Sequence, residues 1–255
     1  MTAVDGNRFD VLGVTIDAMT PQSAIAFVRE RITLRQKATV IFCTVSSVLT
    51  ARKDPLVKRA FDEAALINPD GMPLVWLGRR SGCDVQRVYG PDFMLDLIAA
   101  TGGTYRHYFY GGLPGVATET AVKLKMRFPE LTVVGSRSPA LGLDPVSPDP
   151  EDIAQINAAK PDIVWVGLGH PKQELWIHHN QHKIDAPVLA AVGAAFDFHA
   201  GRIKEAPGWM KRNGLQWIHR LFSDPRRLWR RYLVGNPTFV ALLIKERLSD
   251  MRRDR

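Results

Sequence analysis

One carboxylate stands apart in the segment Ile67-Asn68-Pro69-Asp70-Gly71-Met72-Pro73, just past a short apolar run that reads as a strand. A carboxylate at a strand end has two ordinary uses. It caps the helix that follows, or, in a partly enclosed site, it takes a proton from an attacking hydroxyl. Gly71 beside it lets a ligand approach the backbone closely. A second segment, Gly167-Leu168-Gly169-His170-Pro171-Lys172-Gln173-Glu174-Leu175-Trp176, also follows a buried-type strand. Free amides at the start of its helix favour an anion, and the Gln173 amide both donates and accepts. It is not the Gly-x-Gly-x-x-Gly dinucleotide fingerprint. Gly111-Gly112-Leu113-Pro114-Gly115 forms a third strand-to-helix loop, suited equally to a tight turn and to nucleotide contact.

Cationic chemistry is concentrated at the other end of the chain. Residues 202–255 hold 14 Lys/Arg against 5 Asp/Glu, a net of +9, whereas residues 1–201 hold 20 against 21, a net of −1. Arg227, Arg230 and Arg231 share one helical face, which serves either as a solvated surface or as paired donors for phosphate. Trp209, Trp217, Phe222, Trp229 and Tyr232 lie in the same stretch. A basic, aromatic-rich appendage on a near-neutral body suits phosphates, whether of nucleic acid, anionic lipid or a pyrophosphate-linked substrate. No Asp-x-Asp pair and no His/Cys cluster with ligand spacing occurs, so neither a metal nor a cofactor is expected. No Gly-x-Ser-x-Gly elbow occurs either. Asp149, Glu151 and Asp152 are expected to favour a helix N-terminus by charge.

The elements that must position these groups alternate. Strand-like runs are expected at residues 9–16, 38–44, 65–68, 105–111, 131–134, 162–167 and 188–192. Helices are expected at 47–60, 116–128, 150–159 and 172–181. Continuous apolar strands separated by helices predict an α/β fold, a mostly parallel sheet covered on both faces. Ligands of such sheets sit at the carboxyl ends of the strands, here Thr44, Asp70 and the two glycine loops. The tail predicts a helix starting at Asp224-Pro225 and a second restarted by Pro237, over residues 238–250. The expected division is an α/β catalytic core at 1–201 and a helical, membrane-proximal appendage at 202–255. Two cysteines in 255 residues, with no signal-peptide pattern and no run long enough to span a bilayer, fit the cytoplasm. The tail's charge and aromatic residues fit the periphery of an anionic membrane, and its apolar face can pair subunits when no membrane is present.

With these segments in place, the chain resembles the WecG/TagA/CpsF family of bacterial glycosyltransferases, family 26. The resemblance runs from about Val40 to Tyr232. It rests on Asn68–Gly71, on Arg87-Val88-Tyr89-Gly90-Pro91-Asp92, on residues 156–162 (Ile-Asn-Ala-Ala-Lys-Pro-Asp), on Gly167–Trp176, and on Ala206-Pro207-Gly208-Trp209 running on to residues 216–221 (Gln-Trp-Ile-His-Arg-Leu). It implies a Rossmann-like core with a C-terminal appendage. It also implies inverting, metal-independent transfer from a UDP-sugar to a polyprenyl-diphosphate-linked saccharide, with no nucleic-acid partner. Asp70 would be the base, Thr44 and Arg87 would line the pocket, and Gln173 would contact substrate. Arg220, Arg227 and Arg230 would reach in from the appendage. Ser46, Asn68, Gly71, Gly111, Gly112, Gly169, Pro171, Lys172 and Glu174 complete the expected substrate contacts. Two departures keep the donor sugar open. Ser46 stands where many members have Asn, and Ser138-Pro139-Ala140-Leu141 stands where many have Gly-Tyr-Phe. The competing accounts are a basic nucleic-acid-binding α/β protein and a nucleotide-cofactor oxidoreductase. The second lacks both the glycine fingerprint and its acid roughly 20 residues on.

Overall fold

The structure, a computed structural model, describes residues 7–253 and every side chain among them except those of Arg227, Asp250, Arg252 and Arg253. In chain order the elements are β1 (Arg8–Val11), β2 (Val14–Asp17), α1 (Pro21–Thr33), β3 (Ala38–Cys43), α2 (Val45–Lys53), α3 (Pro55–Asp62), β4 (Leu66–Pro69), α4 (Met72–Arg80), α5 (Gly90–Thr101), β5 (Arg106–Gly111), α6 (Val116–Arg127), β6 (Thr132–Arg137), α7 (Pro150–Ala158), β7 (Ile163–Gly167), α8 (Lys172–Asn180), β8 (Val188–Ala191) and α9 (Ala195–His199). The tail adds α10 (Gly208–Arg212), α11 (Gln216–Ser223), α12 (Pro225–Trp229), a π-helical turn (Arg230–Val234) and α13 (Gly235–Arg253).

Six strands form one parallel sheet in the order β4-β3-β8-β7-β5-β6. The pleat sorts the side chains of each strand to opposite faces. Val40, Phe42, Leu66, Phe109, Trp165 and Ala190 pack with α1, α5, α6 and α9 on one face. On the other, Ile41, Cys43 and Ile67 pack with α2, α3, α4 and the β1–β2 hairpin, while Tyr110, Val164, Val166 and Leu189 pack with α7 and α8. Phe239 of α13 is buried in the second of these clusters, so the tail is anchored to the core beside α2.

Three local expectations are corrected. Residues 9–16 form a hairpin rather than one strand, because Leu12 and Gly13 both take positive φ (55° and 85°) and reverse the chain. The hairpin covers the edge strand β4, with the Asp17 carboxylate accepting from the Ile67 N–H at 2.7 Å. The expected helix at 47–60 breaks at Asp54-Pro55, where the Asp54 side chain caps α3 through the amides of Leu56 and Val57. Pro237 does not restart a helix. It lies in the first turn of α13, directly after the π turn.

The carboxyl ends of β5 and β7 approach closely. Gly111 and Gly167 are paired in register, and a side chain on Gly111 (φ 133°) would stand 2.6 Å from the Gly167 backbone. At the amino end of β5, His107 is fully buried and accepts a 3.0 Å hydrogen bond at Nδ1 from the Trp165 indole, on which it stacks. Burial lowers its pKa from 6.5 to about 4. Unfolded histidine binds the proton more readily. The stability due to the neutral ring is therefore present above pH 6.5 and lost as pH falls through about 4. Urea unfolding across this range should show a loss of up to about 3 kcal/mol from this group, and His107→Gln should flatten that part of the profile.

Candidate active site

Five strand ends deliver their loops to one rim of the sheet: Thr44 after β3, Asp70 after β4, Gly112 after β5, Leu168 after β7 and Gly193 after β8. Two cavities open there. The larger, about 630 Å³, is walled by the Gly112-Leu113 loop, residues 139–143, residues 167–174 and Gly193, and is closed by Arg220, Leu228 and Arg231 from the tail. The smaller, about 270 Å³, lies between α4 and the tail. Thr44, Ser46, Asp70, Tyr89, Arg220 and Arg231 line both.

Asp70 does not cap the helix that follows it. Gly71 is the N-cap of α4 and offers no side-chain bond. The carboxylate instead meets Arg87 Nη2 at 3.3 Å, while its other oxygen accepts from the Gly90 N–H, the first amide of α5, at 3.5 Å. Burial raises the pKa of Asp70 above its ordinary value, against the opposing pull of Arg87 and the Gly90 amide.

Arg87 connects Asp70 to the tail. Its Nε donates to the Asp70 carbonyl, Nη2 also donates to Gln216 Oε1, and Nη1 reaches the Lys211 carbonyl at 3.5 Å. The guanidinium lies 4.4 Å over the Tyr89 ring, and the Tyr89 hydroxyl accepts from Gln216 Nε2 at 2.7 Å. Lys211 Nζ adds an ion pair with Asp92 at 3.1 Å.

The other expected residues divide by role. Thr44 caps α2 in a reciprocal box with Ser47, so its hydroxyl is partly committed to the fold, yet it also accepts from Arg231 Nη2 at 3.2 Å. Gln173 is buried. Its amide nitrogen donates to Glu174 and to the Ala191 carbonyl, each at 3.1 Å, and its oxygen accepts from Gly169 N–H, so it braces the loop against β8. Glu174 is buried at the cavity wall, with one oxygen 3.2 Å from His170 Nδ1. Gly112, Gly169, Pro171 and Lys172 line the larger cavity, and Gly71 the smaller.

Three expected contacts fall elsewhere. Gly111 is taken up in the close β5–β7 approach. Asn68 is fully buried on the Leu66 side of the sheet, in register with Phe42, and lines neither cavity. Arg230 is exposed and stacks on Trp229, also outside both cavities. Arg227 has its side chain outside the described residues. In place of Arg230, the structure turns Arg231 inward. Nη2 reaches Thr44, Nε has no hydrogen-bond partner among the described residues, and burial lowers its pKa. Arg230 and Arg231 are the first two residues of the π turn, where the winding departs from that of a regular helix. Tyr89, Gln216 and Lys211 also escaped residue-by-residue reading. The Tyr89–Gln216 and Lys211–Asp92 contacts each join segments more than 100 residues apart in sequence.

Among the described residues, no group of three or more His, Cys, Asp or Glu is placed to hold a metal ion, and no helix is long and apolar enough to cross a membrane. The model of the WecG/TagA/CpsF glycosyl transferase family matches residues 9–253. The chain is similar to the N-acetylglucosaminyldiphosphoundecaprenol N-acetyl-beta-D-mannosaminyltransferase of Bacillus spizizenii, at 34% identity over 203 residues, covering 78% of this chain and 76% of the relative. It is similar to the protein of the same name from Bacillus subtilis at 31% identity, covering 83% and 81%. A solved arylmalonate decarboxylase mutant aligns over 77% of this chain and 83% of its own, at 15% identity and a TM-score of 0.27, too distant to argue from.

Arg87→Ala should leave the Asp70 carboxylate underpartnered and release Gln216. A loss of about 2–3 kcal/mol in unfolding experiments is expected, together with faster tryptic cleavage in the tail. Arg87→Lys should not restore either property, because one ammonium cannot span the same acceptors.

Proposed function

The chain belongs to the WecG/TagA/CpsF family of glycosyl transferases, and on that premise we propose that it moves a sugar from a UDP-sugar to a saccharide carried on polyprenyl diphosphate, in the synthesis of a bacterial surface or extracellular polysaccharide. The observation that carries this reading is the place of Asp70, a single raised-pKa carboxylate in a wall common to two cavities, with Arg220 and Arg231 beside it. The named relatives transfer N-acetylmannosamine to an acceptor of the same lipid-linked kind. The identity of the donor sugar in this chain stays open, with Ser46 and the loop Ser138-Pro139-Ala140-Leu141 as the residues that would tune it.

In this mechanism the UDP-sugar occupies the larger cavity. An acceptor hydroxyl attacks the anomeric carbon as Asp70 takes its proton. The bond from that carbon to the diphosphate breaks, and its electron pair leaves with UDP. One displacement inverts the anomeric centre. The leaving diphosphate gains charge, and Arg231 is suited to meet it: a desolvated cation with an unused donor is short of an anion. Arg220 stands beside it. Raising the pKa of Asp70 moves the base toward neutral pH, where proton transfer is more effective.

The tail, residues 202–255, is proposed both to complete this site and to bring it to the lipid. On α13, Phe239, Leu242 and Leu243 face the core, whereas Val240, Ile244, Leu248 and Met251 form an exposed apolar stripe beside the exposed Lys245 and Arg247. Such a stripe suits the surface of an anionic bilayer, on the cytoplasmic face.

Asp70→Asn should lower turnover by about 10²-fold or more. Its melting temperature should be unchanged or higher: a carboxyl with a raised folded pKa contributes stability below its unfolded pKa and loses it as pH rises, so the neutral amide removes a cost at pH 7. For the wild type, the acid limb of kcat/KM should lie above the ordinary carboxylate value. Ile244→Glu should weaken sedimentation with phosphatidylserine vesicles and leave turnover of a short-chain, water-soluble acceptor near the wild-type rate.

A further inference from the structure

The smaller cavity is built jointly by two parts of the chain and is predominantly apolar. Trp76 comes from α4, Trp217 from α11, Tyr232 from the π turn, and Tyr89 closes the inner end. The Trp217 and Tyr232 rings lie 5.9 Å apart, tilted by 46°. The tail crosses α4 at Gly214 (φ 71°), where a side chain would press on Met72 and Trp76 at 3.1 and 3.4 Å. Trp76 is 53% exposed, so its indole face is not used up in core packing. Polar groups enter at the wall shared with the larger cavity, where Asp70, Arg220 and Arg231 stand, and Arg87 lines the smaller cavity beside them.

We propose that this aromatic cavity seats the reacting sugar ring of the acceptor, with its C–H face against the indoles and its hydroxyls toward Asp70. The inference rests on the glycosyl-transfer reading and deepens it by assigning each cavity one substrate. The larger cavity, with its glycine loops and tail cations, suits a nucleotide diphosphate. An attacking hydroxyl must then reach Asp70 from outside the donor's cavity, and the smaller cavity, which Asp70 also lines, provides a place for it. A pyranose presents an apolar C–H face and a rim of hydroxyls, matching flat aromatic walls that end in a carboxylate and guanidinium groups. Because Trp217 and Tyr232 belong to the tail, this seat exists only while the tail is docked.

The test uses the full-length protein and two probes, UDP and farnesyl-diphosphate-linked N-acetylglucosamine, each titrated by calorimetry. Trp76→Ala should weaken the acceptor probe about tenfold, the scale of one good aromatic contact, and leave UDP affinity unchanged. Trp217→Ala should do the same, and Trp76→Phe should restore most of the loss. Unchanged acceptor affinity in both alanine variants would overturn the proposal. So would an equal loss of UDP affinity, which would give the cavity to the donor, or failure of the wild type to bind the acceptor probe. If the wild type binds that probe through Trp76 yet transfers no sugar from any UDP-sugar, the donor reading fails and the sugar seat stands.

Discussion

The guanidinium of Arg87 is the point at which the sheet and the C-terminal helices become one object. It satisfies the Asp70 carbonyl, meets the Asp70 carboxylate, holds Gln216 and Lys211 of the tail, and lies flat on Tyr89. A planar fork with several fixed donors can serve all of these at once, and no other side chain has that shape. The carboxylate therefore owes its orientation to a residue that is itself oriented by the tail. Geometry at the rim and docking of the appendage are coupled through one side chain.

Burial sets the chemistry of that arrangement. Asp70 is enclosed enough for its charged form to be disfavoured, and Arg231 is a cation held out of water whose Nε has no partner among the described residues. Each is costly in isolation. Together, across a cavity open to ligand, they provide one group that wants a proton and one that wants an anion. The proposed glycosyl transfer, from a nucleotide-sugar to an acceptor hydroxyl, would supply both in the same step.

The layered α/β plan was legible because buried parallel strands read as continuous apolar runs, and Ala38–Cys43 and Ile163–Gly167 carry that pattern plainly. The hairpin at Leu12-Gly13 was not, since a leucine at positive φ is not the usual turn signal. The rim was visible from Asp70, from the 167–174 loop and from the excess of arginine in the tail. Which arginine turns inward was hidden, because helical spacing groups Arg227, Arg230 and Arg231 on one face without saying which of them meets the core. Nor does periodicity say that Asn68 faces the core, that Gln173 spends its amide on a neighbouring loop, or that Tyr89 and Gln216 meet.

The wide turn at Arg230–Val234 has an evolutionary reading. A regular helix fixes the angular relation between every residue before and after a given point, whereas a helix with one loosened turn carries an adjustable joint. Loss of a single codon within this joint would restore regular winding and re-index the arginine row relative to α13, while the sheet, Asp70 and the anchoring of Phe239 remained as they are. A joint of this kind offers a means of re-aiming positive charge at the rim without rebuilding the core beneath it.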